Sequence, residues 1–160
     1  MNRETDIEKS ERLQRTLVKA KELYTQKSEI WCPYFSAHVA LTSDGFNHLL
    51  NKLDRTPRTI DEQLLKLNLL RKALTTIQKA GTLQEYRDTF EKAEKVSRDG
   101  FYKTSQVQYW GFEAIMGNPT MIKIRVIIKK TGDGKLVFWS VMPCGDLKYR
   151  KLDSVQMFEE

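Results

Sequence analysis

The sequence has little of what several classes of protein require. Its two cysteines, Cys32 and Cys144, are too few for a disulfide framework and lack the paired close spacing of zinc ligands. No apolar run approaches the roughly 20 residues of a membrane-spanning helix, and residues 1–6 contain no apolar signal region. No glycine-rich loop follows a strand and opens a helix, which argues against a nucleotide-phosphate site. We therefore expect a cytoplasmic protein without membrane contact, metal or cofactor.

The charge of the chain is concentrated near its end. The 160 residues are 40% hydrophobic and 10% aromatic, enough for a packed core, and carry a net charge of +6. The segment 121–151 contains eight basic and two acidic side chains. Its net charge therefore equals the net charge of the whole chain. Such a segment attracts polyanions such as RNA. Alternatively, its lysines serve only to keep exposed strands soluble.

Helical periodicity dominates the first part of the sequence. A narrow apolar stripe at Leu13, Leu17, Ala20 and Tyr24 is typical of a polar helix that docks along one seam. Thr59 and Glu62 form a capping box, and Gly81 ends the helix that follows it. The spacings predict helices over 3–28, 44–54, 60–80 and 82–98, a loop over 31–35 and a short strand over 36–42.

Aromatic and β-branched residues dominate after Gly100 and predict strands over 101–115, 120–130 and 135–142. Alternation places Lys123 and Arg125 on one face of a strand and Ile124 on the other. Val137, Trp139 and Val141 likewise alternate with their neighbours, Phe138, Ser140 and Met142. The predicted fold class is α+β, with helices packed on one face of an antiparallel sheet of three to five strands. We divide the chain into an N-terminal helical extension over 1–30 and a single domain over 31–160.

The two histidines are the strongest candidates for proton transfer. RNA cleavage by the 2′ hydroxyl requires a positioned phosphate, stabilised negative charge and groups that move protons. His48 lies on the polar side of the 44–54 helix and is a candidate general acid and base, although a surface histidine without a function fits the same pattern. His38 lies between apolar neighbours and is more typical of a structural group.

Basic residues on the predicted strands are candidates for binding the phosphates of RNA. Lys123 and Arg125 share one strand face, and Lys148 and Arg150 share another if 146–151 is a strand. Ser140 is a candidate hydrogen-bond donor to the same phosphate. Aromatic side chains that could stack on bases, or simply pack in the core, are Tyr109, Trp110, Phe138, Trp139 and Tyr149.

Two short segments resemble the barnase–EndoU–colicin–RelE-like superfamily of ribonucleases, and its phage and mobile-element branch in particular. The first is His38–Thr42 followed by Phe46–Leu50, and the second is Ile122–Ile128 followed by Leu136–Pro143. The similarity covers 36–152. It implies helices on one face of a small antiparallel sheet and metal-independent RNA cleavage on the other face, in many members as a toxin restrained by an antitoxin or immunity protein.

The resemblance also suggests roles for single residues. His48 matches the helix histidine of the phage branch, Lys123 and Arg125 match basic strand positions, and Ser140 matches a serine near the end of the sheet. A second basic or histidine position follows the first in that branch. Candidates for it here are Lys52, Arg55 and Arg58, so the general base stays open.

Three hypotheses follow from the sequence. The first is a metal-independent endoribonuclease or ribonuclease-like toxin, with His48, Arg125 and Ser140 at the catalytic centre. In it, RNA binds to Lys123, Lys148, Arg150, Lys52 and Arg55. The second is a module that binds RNA or DNA without cleaving it. The third is a protein-interaction factor whose 3–28 helix is the docking element.

Overall fold

Helices and strands are mixed along the chain. A computed structural model describes residues 3–96, 102–117 and 121–144. Its helices are α1 (Asp6–Lys27), α2 (Ser43–Leu50) and α3 (Ile60–Lys79). Its strands are β1 (Glu29–Cys32), β2 (Ala37–Ala40), β3 (Glu85–Val96), β4 (Tyr102–Met116), β5 (Ile122–Thr131) and β6 (Val137–Pro143). The α+β class is therefore confirmed.

The six strands of the described residues form one sheet in the order β1-β2-β6-β5-β4-β3. Neighbouring strands are antiparallel, except that β2 and β6 are parallel and meet through the single pair Ala40 and Val137. The sheet exceeds the predicted three to five strands because β1 and β3 extend its two edges.

The helices pack on one face of this sheet. Helix α3 contacts β1, β4, β5 and β6, and α1 packs against α3. Leu13, Ala20 and Tyr24 of α1 belong to the main core, and the partly buried Leu17 packs against it, which confirms the apolar stripe expected of this helix. The Tyr24 hydroxyl also donates a hydrogen bond of 2.7 Å to the carbonyl oxygen of Thr42. The division into an extension over 1–30 and a domain over 31–160 stays a prediction.

The predicted helix over 82–98 is wrong, because this segment forms the edge strand β3. Its glutamates and lysines favour helix, whereas Tyr86, Thr89 and Phe90 favour strand. Pairing with β4 decides between them, since the ladder runs from Glu85 opposite Gly111 to Lys92 opposite Thr104. The predicted loop over 31–35 is wrong in part for the same reason, as residues 31 and 32 pair within the β1–β2 hairpin.

The alternation predicted for β5 is confirmed, since Ile124, Val126 and Ile128 all lie in the main core. The alternation predicted for β6 is wrong. Val141 joins Phe138 in the core, and Trp139 packs with Ile127 on the opposite face. The register shifts between Ile127 and Ile128, so a β-bulge adds one residue to β6 at Trp139 and reverses the facing of the residues beyond it.

Candidate functional site

One face of strands β3–β6 is turned away from α1 and α3 and carries many charged side chains. We name it the open face. It includes a small apolar cluster of Val107, Tyr109 and Ile127, against which Trp139 and Met142 pack. Strand alternation adds charged side chains from β3, β4 and β5 to this face. These are Glu85, Arg87, Glu91, Glu113, Lys123, Arg125 and Lys129.

Helix α2 brings His48 to the edge of the open face. Thr42 is the N-cap of the helix, and its hydroxyl accepts a hydrogen bond of 3.2 Å from the backbone N–H of Gly45. A Cβ on Gly45 would collide with the carbonyl oxygen of Phe138, so glycine allows α2 to lie directly on β6. Arg58 donates two hydrogen bonds, of 3.2 and 3.1 Å, to the carbonyl oxygen of His48 and anchors the end of the helix.

The imidazole of His48 stacks on the indole of Trp139. The ring centroids are 4.2 Å apart and the ring planes differ by 12°. His48 is only 6% exposed, so the stack holds the imidazole in one orientation. Lys129 lies with its Nζ 3.9 Å from the centroid of the Trp139 ring, a cation–π contact. The β-bulge of β6 therefore places an indole between a helix histidine and a strand lysine.

Two adjoining pockets lie beside this stack and share His48, Leu53 and Trp139. The inner pocket has a volume of about 150 Å³, and the outer pocket has a volume of about 640 Å³. The inner pocket is completed by Arg87, Glu91, Tyr109, Ile127, Ser140 and Met142. The outer pocket is completed by Asp44, Asn47, Asn51, Lys52, Arg55 and Lys129. Among the described residues, the lining of the outer pocket includes three basic side chains and one carboxylate.

Tyr109 links the two β3 side chains that line the inner pocket. Its hydroxyl donates a hydrogen bond of 2.8 Å to Oε1 of Glu91, and the guanidinium of Arg87 lies 4.8 Å from the centroid of its ring. Burial and the neighbouring Glu91 carboxylate raise the pKa of Tyr109. The phenol therefore stays protonated and keeps the Glu91 carboxylate in place.

Ser140 lines the inner pocket together with His48, and both are catalytic candidates named from the sequence. Lys66 of α3 is buried and lies with its Nζ 3.3 Å from Oγ of Ser140 and 3.0 Å from the carbonyl oxygen of Val141. The sequence offered no signal for this lysine, because a single lysine in a helix normally faces solvent.

Lys123 and Arg125 lie outside both pockets, in a group that we name the ion-pair cluster with Glu113 and Glu85. Nζ of Lys123 is 2.7 Å from Oε2 of Glu113. Nη2 of Arg125 is 2.9 Å from Oε1 of Glu113 and 3.0 Å from Oε1 of Glu85. The side chains of Lys123 and Arg125 are 8% and 6% exposed. Burial opposes ionisation of Glu113, but Lys123 and Arg125 hold its pKa below the usual range.

The structure thus separates the predicted site residues into two groups. His48, Ser140, Lys52 and Arg55 line the two adjoining pockets, whereas Lys123 and Arg125 belong to the ion-pair cluster. The remaining two, Lys148 and Arg150, lie outside the described residues.

Sequence reasoning missed several residues of the pockets. Arg87 and Glu91 were overlooked because their segment was predicted to be a helix, and Lys129 was counted only as part of the charged segment. The aromatic and β-branched residues Tyr86, Thr89 and Phe90 were the signal that could have found β3. His38, in contrast, is exposed on β2 and meets the edge of Trp31 with ring centroids 5.2 Å apart.

Other chemistries find little support in the part of the chain that the structure describes. Burial raises the pKa of the Cys32 and Cys144 thiols, which is the opposite of what a thiolate nucleophile requires. Within 3–96, 102–117 and 121–144, no group of three or more His, Cys, Asp or Glu residues is arranged to hold a metal ion. Over the same residues, no helix has the length and apolar character needed to cross a bilayer.

Comparison of the chain with protein-family models, with curated proteins and with solved structures finds no match in any of the three. The choice of function therefore depends on the residues and geometry of the two pockets.

Proposed function

We propose that this protein is an endoribonuclease that cleaves RNA without a metal ion, with its active site at the two adjoining pockets. The observation that carries the proposal is the position of an oriented histidine, His48, beside a pocket with an excess of basic side chains. RNA cleavage by the 2′ hydroxyl has the same requirements, since a proton must move while negative charge develops on a phosphate.

His48 is the proton-transfer group in this proposal. The 2′ hydroxyl gives its proton to the imidazole as its oxygen attacks the neighbouring phosphorus. The bond from phosphorus to the 5′ oxygen breaks, and the imidazolium returns the proton to that oxygen. The products are a 2′,3′-cyclic phosphate and a free 5′ hydroxyl. Stacking on Trp139 supports this role, because a fixed ring plane reduces the cost of aligning the proton transfer.

Lys52, Arg55 and Lys129 are the phosphate-binding groups of the proposal. All three line the outer pocket, and Asp44 is the acidic residue beside them. The ammonium and guanidinium groups of Lys123 and Arg125 are engaged by carboxylates instead. Their direct contact with phosphate stays a prediction, and the proposal assigns them no step.

The biological setting that we propose is that of a cytoplasmic ribonuclease toxin restrained by an antitoxin or immunity protein. The support is the resemblance of 36–152 to ribonucleases that act in this way. Expression in bacteria tests the setting, since an active nuclease arrests growth and a single substitution at His48 relieves the arrest. Growth that is unaffected by the wild-type chain contradicts it.

Incubation of the purified protein with labelled RNA in EDTA tests the catalytic proposal. We expect cleavage, with a decrease of about 10²- to 10⁴-fold in the His48→Ala variant because the proton-transfer group is lost. His38→Ala is the matched control, since His38 is the other histidine of the chain and lies on the exposed side of β2. Equal activity of the two variants, or no cleavage by the wild type, overturns the assignment.

A module that binds RNA without cleaving it is the second candidate. The observation that favours it is the burial of His48, because an imidazole that is 6% exposed offers little surface to a ribose hydroxyl. This candidate predicts strongly salt-dependent binding with intact RNA as the only species recovered. Fragments that end in a 2′,3′-cyclic phosphate exclude it.

A further inference from the structure

The inner pocket contains a carboxylate, which has no evident use in binding a phosphate. Glu91 lines this pocket together with His48, and a negative charge there repels the RNA backbone. Arg87 lines the inner pocket as well, so one cation and one carboxylate share it, whereas three cations and one carboxylate line the outer pocket. The two pockets therefore differ in charge balance, and Glu91 gives the inner pocket an acceptor for a ligand group that donates hydrogen bonds.

The size of the inner pocket limits what can enter it. A cavity of about 150 Å³ has room for a single six-membered aromatic ring. Leu53, Ile127 and Met142 contribute apolar surface, which suits the faces of such a ring. A pyrimidine base fits these limits, whereas the fused rings of a purine exceed them.

The hydrogen bond from Tyr109 orients the carboxylate of Glu91 in the inner pocket. Oε1 accepts the Tyr109 hydroxyl at 2.8 Å, and an ionised carboxylate has acceptor capacity on both oxygens beyond that one bond. Such a group accepts a hydrogen bond from the N4 amino group of cytosine. Uracil presents its O4 carbonyl at the same position, where two acceptors face each other without a proton between them.

We propose that the inner pocket is a base subsite that selects cytosine over uracil through Glu91. The proposal rests on the proposed function, because it takes the ligand of the site to be single-stranded RNA. It deepens that function by naming the base beside the cleaved phosphate and the side chain that reads it. Tyr109 acts as a positioning residue, since it holds the carboxylate without touching the base.

Binding of 2′-O-methyl octamers of cytidine and of uridine tests the proposal, because the methylated ribose prevents cleavage. We expect the wild-type protein to bind the cytidine octamer about 5- to 10-fold more tightly in fluorescence anisotropy. In Glu91→Gln the preference falls below twofold, while affinity for the uridine octamer stays the same or rises. Glutamine keeps an oxygen that accepts the Tyr109 hydroxyl, so the pocket retains its shape.

Glu85→Gln is the matched control for this substitution. Glu85 lies on the same strand and face as Glu91, but its carboxylate contacts Arg125 in the ion-pair cluster. The cytidine preference is therefore expected to persist in Glu85→Gln, and thermal unfolding of both variants checks that they are folded.

The outcomes separate failure of this proposal from failure of the proposed function. Equal binding of both octamers by the wild type overturns the base subsite and leaves the ribonuclease proposal standing. A preference that survives in Glu91→Gln overturns the role of Glu91, as does a large loss of cleavage without any change in preference. Absence of binding to either octamer contradicts the proposed function itself.

Discussion

Two groups of basic residues lie on the same face of the sheet, and their surroundings differ completely. In the ion-pair cluster, Lys123 and Arg125 are buried against Glu113 and Glu85. In the outer pocket, Lys52, Arg55 and Lys129 surround a space of about 640 Å³ with Asp44 as the neighbouring carboxylate. The first group is buried against two carboxylates, whereas the second group lines a pocket that is large enough for a ligand.

The difference shows that a basic segment in a sequence does not by itself define a polyanion site. Lys123 and Lys129 are six residues apart on one strand, yet one meets a carboxylate and the other lies over an indole ring. The surroundings of each cation in the fold, and not the number of cations in a segment, decide whether it lines a pocket. From this comparison we expect the ion-pair cluster to contribute to stability and the outer pocket to contribute to RNA binding, and the following predictions test this difference.

Glu113→Ala is expected to give the largest loss of stability. It leaves two buried cations, Lys123 and Arg125, without their shared carboxylate, and loss of one partner from a buried ion pair costs about 3–5 kcal/mol. Chemical denaturation measures the change in the free energy of unfolding. Glu62→Ala provides a comparison at an acidic residue in the first turn of α3. A cost below about 1 kcal/mol, the range of surface pairs, would mean that the cluster is not structural.

Gly45→Ala is expected to disturb the packing of α2 beside the two pockets and to leave the ion-pair cluster unchanged. The new Cβ collides with the carbonyl oxygen of Phe138 and pushes α2 from β6, so overpacking lowers the free energy of unfolding by about 1–3 kcal/mol. His48 moves with the helix, and cleavage decreases as well. In the control Gly81→Ala the new Cβ has no neighbour within 4 Å, and unchanged stability is expected. Identical behaviour of both variants would contradict the close packing of α2.

The ion-pair cluster also predicts a dependence of stability on pH. The pKa of Glu113 is lowered in the folded state, so its contribution is complete above the unfolded value of about 4.3 and is lost as the pH falls through the folded value. The difference in unfolding free energy between wild type and Glu113→Gln therefore shrinks on acidification below that value. Denaturation curves at a series of pH values measure it, and a constant difference would show that the pairing does not depend on ionisation.

Lys129→Ala is expected to give the smallest and most specific effect. Removal of one phosphate contact lowers the slope of log K against log salt by about 0.7 for single-stranded RNA. Lys123→Met is the matched comparison on the same strand, and its slope is expected to equal that of the wild type. Anisotropy titrations with a 2′-O-methyl RNA between low and physiological salt give both slopes. A lower slope for Lys123→Met would place the ion-pair cluster within the RNA site after all.

Much of the local structure could be predicted from the sequence. Thr59 caps α3 as expected, with its side chain accepting a hydrogen bond from the backbone N–H of Glu62. Leu13, Ala20 and Tyr24 of α1 lie in the core as expected, and so do Ile124, Val126 and Ile128 of β5. These features depend on residues within one or two turns of a helix or along one pleated strand, so short patterns contain the information.

Less of the candidate site could be predicted. His48, Ser140, Lys52 and Arg55 were named from the sequence and line the pockets. Glu91 and Arg87 were missed because the helix propensity of their segment conflicts with its alternation. The position of Trp139 depends on a bulge, which no local pattern in β6 revealed.

The sequence by itself determined the α+β class, the N-terminal cap of α3 and the number of basic side chains near its end. Only the tertiary structure decided which of those side chains are neutralised, because Arg125 meets Glu85 across forty positions of the chain. It also decided that 85–96 is a strand and that His48 meets Trp139. Periodicity and capping act between neighbours in sequence, whereas ion pairing and strand register act between segments that only folding brings together.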